Sequence, residues 1–353
     1  MAARKAQTRP TIALIAERVG VSPGAVSYAL NGRPGVSDET RARILEVARE
    51  VGWVPSTAAR ALRGGGAATV GLVITREPQM LGIEPFFMSF IAGIEQVISE
   101  QGFALLLQVT PDPARETATY REWWSARRVD GIFLTDLTVD DPRLAILEDI
   151  GLPAVVVGDP AYAGGLTAVG SDDAGAAEQA VARLAQLGHR RIAHVAGPER
   201  FVHTLRRSEA MRAAGGRLGV EIVAEIHTDY TFDDGARACG ALLNLERRPT
   251  AMVFDNDLTA LGALRAARTR GVDVPRDLSL LAWDDSPLCS LTEPPLSALS
   301  RDVAAYGAEA ARALLATVKG HDGALASSIS IATLVDRGSL GPAPHDVVAD
   351  AAS

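Results

Sequence analysis

From Thr69 onward the chain alternates short apolar runs with amphipathic stretches, and that rhythm leaves few folds open. The apolar runs are VGLVI (70–74), ALLLQV (104–109), GIFLTD (131–136), AVVVGD (154–159), RIAHVAG (191–197), EIVAEI (221–226), AMVFDN (251–256) and LSLLAWDD (278–285). Several are almost continuously apolar, the pattern of strands buried on both faces. Helical periodicity fills the gaps at 86–102, 173–188, 232–246 and 257–271, and a further apolar helix is expected at 303–318. This βαβ order predicts an α/β protein with doubly wound parallel sheets. Eight strands are more than one typical sheet holds, so two lobes are expected. Their predicted bounds, within a unit spanning 67–340, are 67–169 with 303–330, and 170–302 with 331–340. The remainder, 341–353 (GPAPHDVVADAAS), reads as a disordered tail.

The first part of the chain has a different pattern. After a basic arm (1–10), residues 11–54 predict three short helices. Ile12, Ile15, Ala16 and Val19 form a helical stripe that Gly20 ends. Ser22 can cap a second helix, with Pro23 in its first turn, where a missing N–H costs nothing. Val26, Ala29 and Leu30 face inward. NGRPG (31–35) marks a turn, and Ser37 can cap a third helix with Asp38 and Glu39 at its positive end and Ile44, Leu45 and Ala48 facing the core. Residues 55–66, PSTAARALRGGG, read as a linker with a helical stretch before three glycines.

Charge separates the same two regions. Residues 1–66 hold ten Lys/Arg against five Asp/Glu, whereas the whole chain carries −8, so the segment from 67 on carries −13. A basic head on an acidic body suits nucleic-acid binding by the head alone. The cysteines, Cys239 and Cys289, lack metal-ligand spacing and are expected as buried free thiols in a reducing cytosol. No cofactor or metal is expected. The apolar runs fall short of a membrane span, and no signal-length run follows the N-terminus, so a cytoplasmic location without membrane contact is expected.

The motifs TIALIAERVGVSPGAVSYALNG, VSDETRARILEVAREVGWVPSTAARAL, RVDGIFLTD, LAQLGHRRIAHVAGP, NDLTALGALRAAR, GVDVPRDLSLLAWDDSP and PPLSALSRD occur in one order over about Thr11 to Ser339. Together they resemble the lactose-repressor (LacI-type) family of bacterial transcription regulators. The resemblance implies a helix-turn-helix head, a hinge helix and a two-lobed sensor with the fold of periplasmic sugar-binding proteins. It implies a homodimer on a palindromic operator DNA, probing the major groove with Ser22, Pro23, Gly24, Ala25, Ser27 and Tyr28. Tyr28 stands where the family often has Arg, so the bidentate Arg–guanine contact is missing here. Phosphate contacts fall to Thr11, Asn31, Ser37, Thr40 and Arg41. The hinge implies minor-groove contacts from Ser56, Ala59 and Leu62, with Leu62 as a wedge between base steps.

For the sensor, ligands of open parallel sheets bind at the carboxyl ends of strands. Asp159, Asn256, Asp257 and Asp284 stand there. Arg207, Asn256 and Asp284 match the family's effector contacts, Tyr230 matches an aromatic wall, and Phe86 and Phe87 match the lining of the facing lobe. Phe86 and Phe87 fit core packing equally well, and Asp159 fits a plain strand end. Carboxylates, an amide and aromatic faces suit a sugar effector. The alternatives are a purine-type co-repressor, an enzyme and a transport binding protein. Against an enzyme, G-x-S-x-G, H-E-x-x-H, C-x-x-C and a phosphate loop are missing. His189 reads as structural. A transport protein would need a signal peptide and no basic head.

Overall fold

The computed structural model describes residues 10–53, 66–320 and 329–344. It divides into two compact units, one up to Ala67 and one from Ala68. The hinge residues Ser56, Ala59 and Leu62, most of the basic arm and residues 345–353 lie outside the described residues.

Among the described residues, the first unit is a cluster of three helices: α1 (Ile12–Val19), α2 (Pro23–Leu30) and α3 (Asp38–Glu50). Each start is set by a side-chain cap. The hydroxyls of Thr11, Ser22 and Ser37 accept from the backbone N–H of Leu14, Ala25 and Thr40. Gly20, at φ 79°, closes α1 in the left-handed conformation that glycine adopts without steric cost. Ile15, Ala16, Val19, Val26, Ala29, Ile44 and Ala48 form the core. Leu45, expected inside, is 41% exposed.

The second unit holds two six-stranded sheets. Strands β1 (Thr69–Thr75), β2 (Ala104–Thr110), β3 (Gly131–Leu134), β4 (Ala154–Val157), β5 (Thr167–Ser171) and β11 (Ile329–Ser330) form the first, in the order β11-β5-β4-β3-β1-β2. Strands β6 (Arg191–Ala196), β7 (Glu221–His227), β8 (Ala251–Phe254), β9 (Ser279–Asp284), β10 (Ser297–Ser300) and β12 (Thr333–Val335) form the second, in the order β12-β10-β9-β8-β6-β7. The first five strands of each sheet therefore repeat one parallel winding. The eight expected strands are present; β5, β10, β11 and β12 are additional. The chain passes between the sheets after β5, after β10 and between β11 and β12. Because β5 runs to Ser171, the first passage falls after the predicted 169/170 boundary. Gly341 to Pro344, expected in the tail, instead follow the second lobe. The Ala343 N–H donates to Leu187, and the Gly341 N–H donates to Ser279 Oγ.

Helices cover both faces of each sheet, and one close crossing recurs in each lobe. The helices Pro85–Glu100 and Val303–Val318 touch through Gly93 and Gly307. A Cβ at Gly93 would overlap the Ala304 carbonyl oxygen, and one at Gly307 that of Phe90. In the second lobe Gly235 and Gly262 play the same part between Phe232–Leu243 and Asp257–Thr269, against Thr259 and Phe232. Backbone meets backbone at these points, so no side-chain motion relieves an added methyl. Gly216, on the exposed face of the Val202–Leu218 helix, has open space around it. Chemical denaturation should show Gly93→Ala losing about 1–3 kcal/mol or more, while Gly216→Ala gains about 0.5–1 kcal/mol. Equal effects would remove the crossing from the account of lobe packing.

Candidate functional site

The carboxyl ends of both sheets face one cavity between the lobes, open to solvent at its mouth. Its position follows from the winding. In each sheet the chain reverses direction beside β1 or β6, and the strand ends open a crevice at that switch point. Of the residues expected from sequence, Phe86, Phe87, Arg207, Tyr230, Asn256 and Asp284 line this cavity. Asp257 and Asp159 do not; each lines a neighbouring cavity on a different side. Arg76, Glu84, Asp136, Asp173, His203, Asp255, Arg301 and Tyr306 also line the central cavity and were not selected from sequence. Asp136 ends GIFLTD and was open to the strand-end argument. Asp255, a buried carboxylate directly after the apolar strand β8, is itself an anomaly that marks a site.

Arg207 is the best-anchored of these groups. Its Nε donates to Asp173 at 2.9 Å, its Nη1 donates to the Asp255 carbonyl at 3.0 Å, and its guanidinium lies 4.1 Å from the Trp283 ring centre. Asp255 receives the Gly197 N–H at 2.9 Å and sits 2.8 Å from His194 Nε2. Burial would raise the Asp255 carboxyl, but His194 and Arg207 outweigh it and hold it well below its ordinary value. Burial likewise acts to lower His194, yet Asp255 and Glu225 push it up to about 9.

Asn256 is committed to structure. Its Oδ1 caps the Asp257–Thr269 helix at the Thr259 N–H, and its Nδ2 donates to the Tyr230 carbonyl at 3.1 Å. That bond helps hold Tyr230 at φ 64°, an uncommon conformation for a bulky residue. The Tyr230 hydroxyl meets His203 Nε2 at 2.7 Å and lies so close to Gly197 that any side chain there would collide with it. Asp136 and Asp284 also have positive φ, at 53° and 79°. Strained backbone thus collects around this cavity.

On the first lobe, Arg76 Nη1 pairs with Asp136 at 2.8 Å, and its Nε lies 3.7 Å from Glu84 Oε2. The same guanidinium lies 5.2 Å from the Phe201 ring centre and 5.7 Å from that of Tyr230, both on the second lobe. Beside it the Val202 N–H donates to the Leu137 carbonyl at 2.8 Å, a backbone bond between lobes. Burial raises Glu84 to about 7 against the pull of Arg76. Arg301 donates to Asp284 at 2.8 Å and lies 5.1 Å from the Phe86 ring centre.

The remaining expected residues have other partners. Asp159 caps a short 3-10 turn at the Ala161 N–H and pairs with Arg206. Asp257 accepts from the Ser286 N–H at 3.2 Å. Phe87 is 2% exposed and belongs to the first lobe's core while also lining the cavity. His189 is buried against Thr250, Ser279 and Gly341, a structural position. Both cysteines are buried free thiols. No helix among the described residues is long and apolar enough to cross a membrane, and no metal-binding cluster occurs among them.

In the helical unit, Ser22, Pro23, Gly24 and Tyr28 are exposed on α2, while Ala25 and Ser27 are half-buried. The Tyr28 ring rests beside Gly35. The Ser37 hydroxyl also donates to Thr40 Oγ1. Asn31 Nδ2 turns back to the Ser27 carbonyl. Arg41 donates to the carbonyls of Ala29 and Arg33, closing the end of α2, so its charge is tied into the fold.

His194 gives this network a pH signature. The folded form holds its proton more tightly than an unfolded histidine does. That stabilisation is present below about pH 6.5 and is lost as pH rises through about 9. Denaturation across this window should show stability falling by up to roughly 1.4 kcal/mol per pH unit, with His194→Gln flattening the slope. An unchanged slope in the variant would place the proton elsewhere.

Comparison with known proteins agrees with this architecture. A family profile described as "Bacterial regulatory proteins, lacI family" matches residues 11–56, and one described as "Periplasmic binding protein-like domain" matches 181–340. The chain is 34% identical over 319 residues to the HTH-type transcriptional regulator CelR of Thermobifida fusca, covering 89% of this chain and 93% of the relative. It is 35% identical over 346 residues to MalR of Streptomyces coelicolor, covering 95% and 98%. It is 31% identical over 347 residues to the HTH-type transcriptional repressor CytR of Escherichia coli, covering 98% and 100%. Among solved structures, a CelR–cellobiose complex superposes with a TM-score of 0.72 at 31% identity, covering 94% of this chain and 100% of that one. A lac repressor dimer bound to operator and an anti-inducer shares the fold, with a TM-score of 0.83 at 24% identity and coverage of 95% and 100%. With relatives this similar over nearly its whole length, the chain belongs to the lacI family of bacterial regulatory proteins, and it is a DNA-binding transcriptional regulator rather than an enzyme.

Proposed function

We propose that this regulator binds a roughly palindromic operator as a homodimer, acts as a repressor, and responds to a sugar held in the interlobe cavity. The observation that carries the effector class is the cavity lining. Arginines and carboxylates converge there with Phe86, Tyr230 and Tyr306, a mixture that matches hydroxyls on a sugar's edge and C–H groups on its face. A relative of known structure is described as a cellobiose complex. Arg207, Asp284, Tyr230, Phe86 and Phe87 would contact the sugar. Asn256 would act through Tyr230, and Asp159 and Asp257 would border the site.

On the DNA side, the exposed start of α2 would enter the major groove, with Ser22, Pro23, Gly24, Ala25, Ser27 and Tyr28 nearest the bases. Thr11, Asn31, Ser37, Thr40 and Arg41 would approach phosphates. Ser56, Ala59 and Leu62 would supply minor-groove contacts. The small residues Gly24 and Ala25 favour close groove contact, and Tyr28 replaces a charged reader. Specificity then depends in part on dimer spacing and on DNA deformation at the centre.

The test is to select operators from random duplexes with the full chain and to measure affinity by fluorescence anisotropy with and without cellobiose or maltose. A palindromic consensus and a sugar-dependent change in affinity are expected; a non-symmetric consensus, or no response to sugars, would contradict the proposal. Tyr28→Ala should leave the melting temperature nearly unchanged and weaken the selected operator by about 1–3 kcal/mol. A uniform loss on random DNA instead would remove Tyr28 from base reading.

A further inference from the structure

We propose that the start of the helix Val202–Leu218 clasps the two lobes together without ligand, with the Val202 side chain as the plug. Val202 follows β6 and belongs to the second lobe by sequence. Yet it is 2% exposed and packs in the apolar cluster of Val73, Leu134, Leu137, Leu147 and Val156. Among the described residues, every other buried member of that cluster lies in the first lobe. Met211 and Ala214, further along the same helix, pack in the second lobe's own core. One helix is therefore rooted in both lobes. The bond from the Val202 N–H to the Leu137 carbonyl adds a directional contact at the same point. The first N–H groups of a helix have no partner within it, so this donor depends on the other lobe. Beside it Thr138 and Phe201 form an antiparallel bridge, and the Arg206 Nε lies 3.1 Å from Asp159 Oδ2.

The receiving loop is braced from within its own lobe. The Thr138 N–H donates to Asp141 Oδ2 at 3.0 Å, and Arg143 donates to the Asp136 carbonyl at 2.9 Å and to Glu116 at 2.7 Å. The clasp also stands away from the passages between the lobes, which leave the sheets at the β5 and β10 side. The loop follows β3, two strands in from β5, and the plug follows β6, three strands in from β10. At about 4.8 Å per strand, the clasp sits roughly 10 Å or more from the passages. Opening by rotation about the passages must therefore draw Val202 out of the first lobe's core, exposing apolar surface and breaking the backbone bond. Every one of these contacts joins protein to protein, so the closed arrangement needs no ligand. A ligand enters when the clasp releases, and binding selects among states that the free chain already visits.

The experiment is amide hydrogen exchange on the full chain without added ligand, resolved to single residues by fragmentation mass spectrometry. The Val202 amide should exchange about a hundredfold or more slowly than in an unstructured chain. Val202→Ala should lose about tenfold or more of that protection, while the amides of β6 and of Met211 keep theirs. Val202→Thr keeps the side-chain shape but places a hydroxyl in the apolar cluster. It should also lose protection, and it covers the case in which the alanine variant does not fold. Exchange of the unsubstituted Val202 amide near the unstructured rate would overturn the inference. So would variants that leave position 202 fully protected, or that lose protection equally at Met211 and in β6, which would make Val202 a plain core residue. None of these outcomes depends on which effector the sensor takes.

Discussion

The burial of Arg207 between Asp173 and Asp255 is the interaction on which the sensor depends. Asp173 follows the first passage between the lobes, and Asp255 follows the last residue of β8. One guanidinium therefore ties the interlobe passage to the centre of the second sheet, with Trp283 of the neighbouring strand beneath it. Buried ions are costly unless paired and hydrogen-bonded, and here the pairing is extended by His194 and by the Gly197 N–H. The same bonds fix the polar floor of the cavity, so lobe architecture and ligand recognition share one set of charges.

Most of the fold was legible because its signals are long and redundant. The eight apolar runs needed no tertiary information to be read as buried parallel strands. Strands β5 (TAVGS) and β10 (SALS) escaped because four or five residues with two or three apolar positions carry no clear period. Their loss hid the passages that follow them, and with those Asp173 and Arg301. The helix caps at Thr11, Ser22 and Ser37 were readable because capping is local.

The cavity was legible in part. Strand-end position and family resemblance found Arg207, Asn256, Asp284 and Tyr230. At a strand end, a residue that faces a ligand and one that holds its neighbour carry the same sequence signal, and Asn256 holds the Tyr230 backbone. Arg76 and Glu84 escaped because their meeting depends on how the segment after β1 folds back over the strand end. Arg41 shows the same limit in the helical unit, where a charge expected at phosphate also closes the end of α2.

Arg207 and Asp255 act energetically as one unit. A double-mutant cycle with Arg207→Met and Asp255→Asn, with unfolding followed by far-ultraviolet circular dichroism, measures their coupling. Each single variant unbalances the buried charges, leaving Arg207 with Asp173 alone or Asp255 with His194 alone, whereas the double variant removes one charge of each sign. Strong non-additivity is expected, with the double variant losing much less stability than the two single losses combined and a coupling of about 1–3 kcal/mol. Losses that simply add would contradict it.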